Sequence, residues 1–138
     1  MKKITLVAAS FLGLLAIILG AFGAHAFKEI LSVEKLQSFE TGVRYQMYAA
    51  IFLLIIGMYL NFETKLQQWT ARLMLLGVIL FSFSIYALSF QEAWGVNLKF
   101  LGPITPLGGL FMIVSWFLLM IHFLKSHWKT VFQTNNQH

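Results

Sequence analysis

The stretch ITLVAASFLGLLAIILGAFGAHAF, residues 4–27, decides the fold, because it runs without a single Lys, Arg, Asp or Glu. The hydrocarbon core of a bilayer is about 30 Å thick, and a helix of about 20 mostly apolar residues crosses it. The apolar residues are continuous rather than alternating, which argues against a strand of a transmembrane barrel. A helix satisfies its own backbone hydrogen bonds within lipid, whereas a single strand does not. We therefore interpret this stretch as a transmembrane helix.

Three further mostly apolar stretches follow along the chain. They cover about residues 44–62, 71–91 and 105–125. The apolar run of the last span begins at Phe100, where Gly102, Pro103 and Pro106 belong to an entry turn, and we expect its helix to start near Thr105. The sequence therefore predicts an all-α membrane protein, a four-transmembrane-helix bundle that forms a single domain over residues 1–138.

The first stretch has an alternative interpretation as a cleavable signal peptide. Lys2 and Lys3 precede the apolar run, and Ala24-His25-Ala26 has the form of a cleavage site. The run is longer than the usual apolar region of a signal peptide, however, and three more spans follow it. An uncleaved first helix explains the same residues.

The composition supports a membrane protein and excludes several kinds of site. Hydrophobic residues make up 59% of the 138 residues and charged residues 11%, against about 25% charged residues in an average soluble protein. The chain has no cysteine, which excludes disulfides, thiolate metal ligands and cysteine nucleophiles. The net charge of +5 includes no basic run dense enough for a nucleic-acid interface. We expect the lipid bilayer, and no nucleic acid, as a partner.

Four spans place both chain termini on one side of the membrane. That side carries six basic residues, namely Lys2, Lys3, Lys65, Arg72, Lys125 and Lys129. The opposite side, here the outer side, carries four, namely Lys28, Lys35, Arg44 and Lys99. Cytoplasmic loops carry the excess of Lys and Arg. The counts predict a multi-pass protein of the plasma (bacterial inner) membrane with both termini in the cytoplasm.

The outer loop between spans one and two has a helical pattern. Its apolar residues recur at near-helical spacing with charged residues between them: Val33, Leu36, Phe39 and Val43. Ser32 stands where an N-cap is expected. We predict a short amphipathic helix between spans one and two, and the alternative is that this segment is the solvated start of span two.

Small residues form stripes that predict how the helices pack. Ala16, Gly20 and Ala24 are four residues apart and share one face of span one. Gly108 and Gly109 leave the first turn of span four almost without side chains. Small residues let helix backbones approach closely in lipid. We expect them to pack the helices of one bundle, and a homodimer face is the alternative.

The four-span topology gathers polar residues at one membrane level. Spans one and three end on the outer side, where spans two and four begin. Six polar residues should lie near this level: His25, Arg44, Tyr45, Gln46, Tyr86 and Thr105. Polar groups in lipid are costly unless they are paired, and two interpretations follow. Either the cluster binds a ligand, or its members hydrogen-bond one another and fix the helix ends.

No constellation of catalytic residues can be recognised. The chain contains no Asp, and its five acidic residues, all Glu, lie in or beside loops. Its His residues lack the spacing of a metal site, and neither a P-loop nor a Gly-x-Gly-x-x-Gly motif occurs. We therefore predict no catalytic residue, no metal and no cofactor, and a protein that is not an enzyme.

Four motifs, in this order, resemble those of a known family. They are Leu19-Gly20-Ala21-Phe22-Gly23-Ala24-His25, Thr41-Gly42-Val43-Arg44-Tyr45-Gln46, Phe81-Ser82-Phe83-Ser84-Ile85-Tyr86 and Thr105-Pro106-Leu107-Gly108-Gly109. Over nearly the whole chain the sequence resembles the YgdD-like small bacterial inner-membrane protein family (domain-of-unknown-function family 423). The resemblance implies a four-helix membrane protein with no assigned activity.

The sequence departs from the family pattern at three positions. Ala49 stands where the family usually has His, Phe83 where it usually has Gly, and Ser115 where a Gly often precedes the Trp. The missing second His argues against a metal site centred on His25. Phe83 implies that no close helix approach is required at that position.

Two functions of different classes follow from these observations. The first is a non-enzymatic accessory or scaffold protein that acts through its helices on a membrane-protein partner or a second copy. The alternative is a small transporter, or a ligand- or lipid-binding membrane protein, that uses the outer polar cluster. An enzyme acting on lipid, with Arg44 holding a headgroup, has the least support because no general base with an orienting partner can be named.

Overall fold

The computed structural model describes the backbone of residues 1–135 and the side chains of residues 1–125. Over this part the chain forms the α-helices α1 (Lys2–Ala24), α2 (Val33–Tyr59), α3 (Lys65–Val78), α4 (Ser84–Phe90) and α5 (Ile104–Asn135). A π-helical turn at Ile79–Phe83 joins α3 to α4. Short 3-10 turns occupy Ala26–Glu29 and Lys99–Leu101.

Within the part of the chain that the structure describes, four helical segments are long and apolar enough to cross a membrane. They are Lys2–Ala24, Val33–Tyr59, Lys65–Phe90 and Lys99–Lys125. The third contains both α3 and α4, because the π-turn connects them without a break. These segments confirm the predicted all-α membrane fold. We call the end of the bundle at which α1 ends and α2 begins the outer end, and the opposite end the inner end.

The segment before the second span is helical and continuous with that span. The Ser32 hydroxyl accepts a hydrogen bond from the Lys35 N–H at 3.3 Å and so caps α2. The helix then runs through Gly42 to Tyr59 without interruption. The amphipathic segment is therefore the first part of α2 and not a separate helix. Of the two interpretations of this segment, the structure supports the solvated start of span two.

The connection at the inner end is a short ordered turn. Phe62 adopts a left-handed backbone conformation with φ of 59° and is buried. The Gln68 side-chain amide donates to the Phe62 carbonyl at 3.0 Å. The Thr64 hydroxyl accepts from the Gln67 N–H at 3.3 Å and caps α3. These contacts hold α2 and α3 as antiparallel neighbours.

α1 packs along α2 through its stripe of small residues. Ala16 is buried, and a Cβ added at Gly20 would lie 3.5 Å from Val43 Cγ1. Ala24, the last residue of α1, is exposed. Most of the stripe is therefore used within one chain.

α3 packs along α5, and their backbones meet at two glycines. A Cβ added at Gly77 would lie 2.9 Å from the Gly108 carbonyl oxygen, and one added at Gly108 would lie 2.7 Å from the Gly77 carbonyl oxygen. An added Cβ at Gly108 would also contact the Phe81 main-chain nitrogen. This contact places the first turn of α5 beside the π-turn.

Candidate functional site

Gln46 and Tyr86 form the centre of a buried polar network in the outer half of the bundle. Gln46 is fully buried, and its Nε2 donates to the Leu12 carbonyl of α1 at 2.8 Å. Its Oε1 accepts from the Tyr86 hydroxyl of α4 at 2.7 Å. One side chain of α2 thus connects three helices and satisfies its own polar atoms.

Ser82, within the π-turn, connects the third span to α2. Its hydroxyl is buried and donates to the Gly42 carbonyl at 2.8 Å. Gly42 also lies against the Tyr86 ring, because a Cβ added there would be 2.7 Å from Tyr86 Cε1. The missing side chain lets the ring reach Gln46.

Two further hydrogen bonds attach α5 to the third span. The Ser84 hydroxyl donates to the Phe81 carbonyl at 2.9 Å and lies 2.6 Å from the Thr105 hydroxyl. Since the Ser84 proton is used, the Thr105 hydroxyl is the donor of the second bond. Toward the inner end, the Ser115 hydroxyl donates to the Thr70 carbonyl at 2.6 Å. The hydroxyls of Ser84, Thr105 and Ser115 therefore bind within the bundle.

The other three sequence-predicted residues, His25, Arg44 and Tyr45, are exposed. Arg44 Nη2 donates to the Thr41 hydroxyl on its own helix at 3.3 Å. The Tyr45 ring lies 4.9 Å from the Phe81 ring, centroid to centroid. His25 directly follows the end of α1. The outer level thus contains a buried network and separate exposed groups, and the six residues do not converge on one point.

A cavity of about 280 Å³ opens at the outer end between α2, α4 and α5. Its lining residues are Lys35, Ser38, Ile85, Leu88, Ser89, Gln91 and Thr105, and we call it the outer pocket. Ser89 is only 1% exposed. Among the buried side-chain oxygen and nitrogen atoms of the described residues, its Oγ is the one without a hydrogen-bond partner. The outer pocket is therefore where a buried polar group is left unsatisfied.

α2 and α5 pack less closely than their neighbours and leave a lateral cleft. The rings of Phe52 and Trp116 meet across it, with centroids 4.6 Å apart. A cavity of about 690 Å³ lies on the inner side of this contact and one of about 450 Å³ on the outer side. Tyr48 and Trp116 line both cavities, and the other lining side chains are apolar or aromatic. We call the two together the α2–α5 cleft.

Tyr48 presents a phenol to this cleft in the outer half of the second span. It follows Arg44, which lies at the outer level, by four residues, which is about 6 Å along the helix. Tyrosine is common at this membrane level, where its ring lies in an apolar region and its hydroxyl near polar groups. Its side chain is 58% exposed. The hydroxyl can therefore bond to a group from outside the chain, either a lipid headgroup or a polar group of another helix.

Sequence reasoning did not single out Lys35, Ser89 or Tyr48. Ser89 follows Ser82 by seven residues, about two helical turns, and this spacing on one face of span three could have identified it. Lys35 and Tyr48 carry no such signal, since their positions depend on how α2 is rotated toward α4 and α5.

Titratable side chains are dispersed over the described residues. Within residues 1–125, no group of three or more His, Asp or Glu could hold a metal ion. The Lys35 ammonium lies 3.7 Å from the Glu92 carboxylate, which joins α2 to the loop after α4. At the inner end, the Lys2 ammonium donates to the Met58 carbonyl at 3.2 Å.

The family model described as protein of unknown function (DUF423) matches residues 19–109. That range contains the Gln46–Tyr86 pair and all the polar lining of the outer pocket. The match confirms the resemblance drawn from the four sequence motifs.

Individual relatives are membrane proteins of similar length. The chain is 39% identical over 106 residues to a UPF0382 membrane protein of Staphylococcus haemolyticus. The aligned region covers 77% of this chain and 83% of the relative. It is 35% identical over 125 residues to the UPF0382 membrane protein YwdK of Bacillus subtilis, covering 89% and 98%. A UPF0382 membrane protein of Schizosaccharomyces pombe is 31% identical over 114 residues, covering 82% and 95%. No solved structure matches the chain.

Proposed function

We propose, from the premise that this chain belongs to the family of UPF0382 membrane proteins described as protein of unknown function (DUF423), that it acts as a non-enzymatic accessory or scaffold protein. It receives a transmembrane helix of a partner, either another membrane protein or a second copy, in the α2–α5 cleft. The partner helix fills the cleft and provides a polar group for the Tyr48 hydroxyl.

The shape and chemistry of the α2–α5 cleft carry this proposal. The cleft opens sideways toward the region of the lipid, and its walls are apolar and aromatic. Helix association in membranes depends on close van der Waals packing and on hydrogen bonds between helices. The cleft offers a concave packing surface, and the exposed Tyr48 offers a hydroxyl at its outer part. A partner helix can fill this surface and bond to the hydroxyl at the same time.

The buried polar network favours this function over a small transporter. A transport path needs polar groups that face a water-filled or ligand-filled space. Gln46, Tyr86 and Ser82 instead bond to other parts of the same bundle. These bonds connect helices, so the polar groups of the outer half stabilise the scaffold.

We infer that the protein lies in the plasma (bacterial inner) membrane with both termini in the cytoplasm. The distribution of basic residues supports this orientation, since the inner end has six and the outer end has four. The chain has no cysteine, so one introduced cysteine reports its own side. Lys28→Cys should react with a membrane-impermeant maleimide in intact spheroplasts, and Lys65→Cys only after lysis. The reverse pattern of labelling would refute the orientation.

Site-specific photo-crosslinking in native membranes tests the cleft as a docking surface. A benzoylphenylalanine at Trp116, which is 59% exposed, should give a protein adduct of discrete mass. The reason is that a partner helix in the cleft lies within reach of the probe. An adduct of twice the mass of the chain identifies a second copy as the partner, and any other discrete mass identifies a different protein.

Leu14 on α1 provides the matched control for this experiment. Its side chain is also 59% exposed, and it lies ten residues from the outer end of α1, where Trp116 lies twelve residues from the outer end of α5. The same probe at Leu14 should crosslink lipid only. Lipid adducts alone at both positions would contradict the proposed function.

A further inference from the structure

The outer pocket is a second candidate site, and it is independent of the proposed helix docking. Ser89 lines the outer pocket and is 1% exposed, and its hydroxyl has no hydrogen-bond partner among the described residues. Leaving a buried hydroxyl unsatisfied costs about 1–3 kcal/mol. A bound group that accepts a hydrogen bond would remove this cost.

The side chains around Ser89 present hydrogen-bond donors to the outer pocket. Lys35 contributes an ammonium group. Gln91 uses its Oε1 to accept from the Leu98 N–H at 3.2 Å, so the polar atoms that remain are the two donors of its amide. Together with the Ser89 hydroxyl, these groups fit a ligand that carries several acceptor oxygens and a negative charge.

The start of α5 adds a favourable electrostatic field. Thr105, the second residue of this long helix, lines the outer pocket. The first N–H groups of a helix lack intrahelical partners and attract anions, phosphate above all. In α5 these groups belong to Ile104 and Thr105, because Pro106 has no N–H. Lys35 is only loosely neutralised, since its partner Glu92 lies 3.7 Å away with a side chain that is 69% exposed. An anion in the outer pocket can therefore replace Glu92 as the partner of Lys35.

We propose that the outer pocket binds a phosphate group, which is either the phosphate of a lipid headgroup or free phosphate. Ser89, Lys35 and Gln91 donate to its oxygens. The volume of about 280 Å³ lies at the lower limit of ligand pockets, about 300–1,000 Å³, so it suits a headgroup but not a whole lipid. Ile85 and Leu88 form the apolar wall of the outer pocket, along which the glycerol and acyl chains of a lipid would lead into the bilayer.

Native mass spectrometry of the full chain in detergent tests this site with three probes. These are phosphatidylglycerol, a diacylglycerol with the same acyl chains, and inorganic phosphate. We expect one phosphatidylglycerol to bind per chain and diacylglycerol not to bind, because the phosphate is the recognised group. Displacement of phosphatidylglycerol by inorganic phosphate would identify free phosphate as a ligand, and no displacement would identify the lipid.

Substitutions separate a built site from general attraction to a basic surface. Ser89→Ala and Lys35→Gln should each weaken phosphatidylglycerol binding about tenfold, the effect of one charge-assisted hydrogen bond. Glu92→Gln should strengthen binding, because it releases Lys35. Lys28→Gln is the matched control, since this exposed lysine at the outer end does not line the outer pocket, and it should leave binding unchanged.

The stability of Ser89→Ala separates binding from folding. Because the hydroxyl makes no hydrogen bond to the described residues, the thermal midpoint of the ligand-free variant should equal or exceed that of the natural chain. A lowered midpoint would show that the hydroxyl supports the fold and would overturn the proposal. Equal binding of diacylglycerol, unchanged binding by Ser89→Ala, or equal losses in Lys28→Gln and Lys35→Gln would also overturn it.

Discussion

Gly108→Ala is expected to separate α5 from α3 and to lower the free energy of unfolding by about 3 kcal/mol, at the upper end of the usual cost of overpacking. The three heavy atoms nearest to the added Cβ are all main-chain atoms of α3 and the π-turn. It would lie 2.7 Å from the Gly77 carbonyl oxygen and 2.9 Å from the Leu80 carbonyl carbon, and it would contact the Phe81 nitrogen. A side chain can rotate away from such a contact, but a backbone can yield only if the whole helix moves.

Gly109→Ala is the matched control for this substitution. A Cβ at Gly109 would lie 3.6 Å from the Phe81 ring, which is an ordinary contact. Alanine also favours a helix over glycine by about 1 kcal/mol, so this variant should keep or raise the stability. Unfolding in mixed micelles with increasing dodecyl sulfate, followed by circular dichroism, measures both variants. Equal stability of the two variants would refute the backbone contact between α3 and α5.

The number and order of the spans could be predicted from the sequence because lipid imposes a simple requirement. Each span needs a continuous apolar run, and every run identified in the sequence corresponds to a helix that can cross a membrane. The cap at Ser32 was predicted for a similar reason, since a hydroxyl before an amphipathic run satisfies the first N–H groups. Both features depend on local sequence alone.

The pairing of the helices could not be predicted from the sequence. Gly108 marks a place where something approaches closely, but it does not tell which helix does so. The structure pairs it with Gly77 of α3, and that choice depends on the packing of the whole bundle. The sequence also could not show that α2 continues through Gly42 without interruption. The Tyr86 ring that covers Gly42 belongs to another span, so this packing too depends on the whole bundle.

The membrane level of the polar residues follows from topology, but their direction does not. Successive residues of a helix point about 100° apart, so neighbours in sequence face different surroundings. Tyr45 is 44% exposed, whereas Gln46 is fully buried. The sequence placed both at the outer level, and only the rotation of α2 separates the exposed side chain from the buried one. The sequence does not show whether the Ser89 hydroxyl has a hydrogen-bond partner. The position of Tyr48 beside the α2–α5 cleft likewise depends on the rotation of α2.

The Gln46–Tyr86 pair should dominate the energetics of the buried network. Gln46→Leu is expected to lower the free energy of unfolding by about 2 kcal/mol, because it leaves the buried Tyr86 hydroxyl without its acceptor. Tyr86→Phe should cost about 1 kcal/mol, since hydrogen bonds between membrane helices average about 0.6 kcal/mol and reach about 1.7 kcal/mol. The double variant should cost less than the sum of the two, because it leaves neither partner of this bond unsatisfied.

A double-mutant cycle of these variants, measured by unfolding in mixed micelles, gives the coupling between the two side chains. Tyr45→Phe is the control, because the Tyr45 side chain is 44% exposed and packs through its ring. The free energy of unfolding of this variant should equal that of the natural chain. A coupling energy of about 1 kcal/mol would show that the two side chains bond to each other in the membrane and hold α2 against α4. Additive losses would mean that Gln46 and Tyr86 are not bonded to each other in the membrane. Both groups would then be available to a ligand, and the transporter alternative would gain the site that it otherwise lacks.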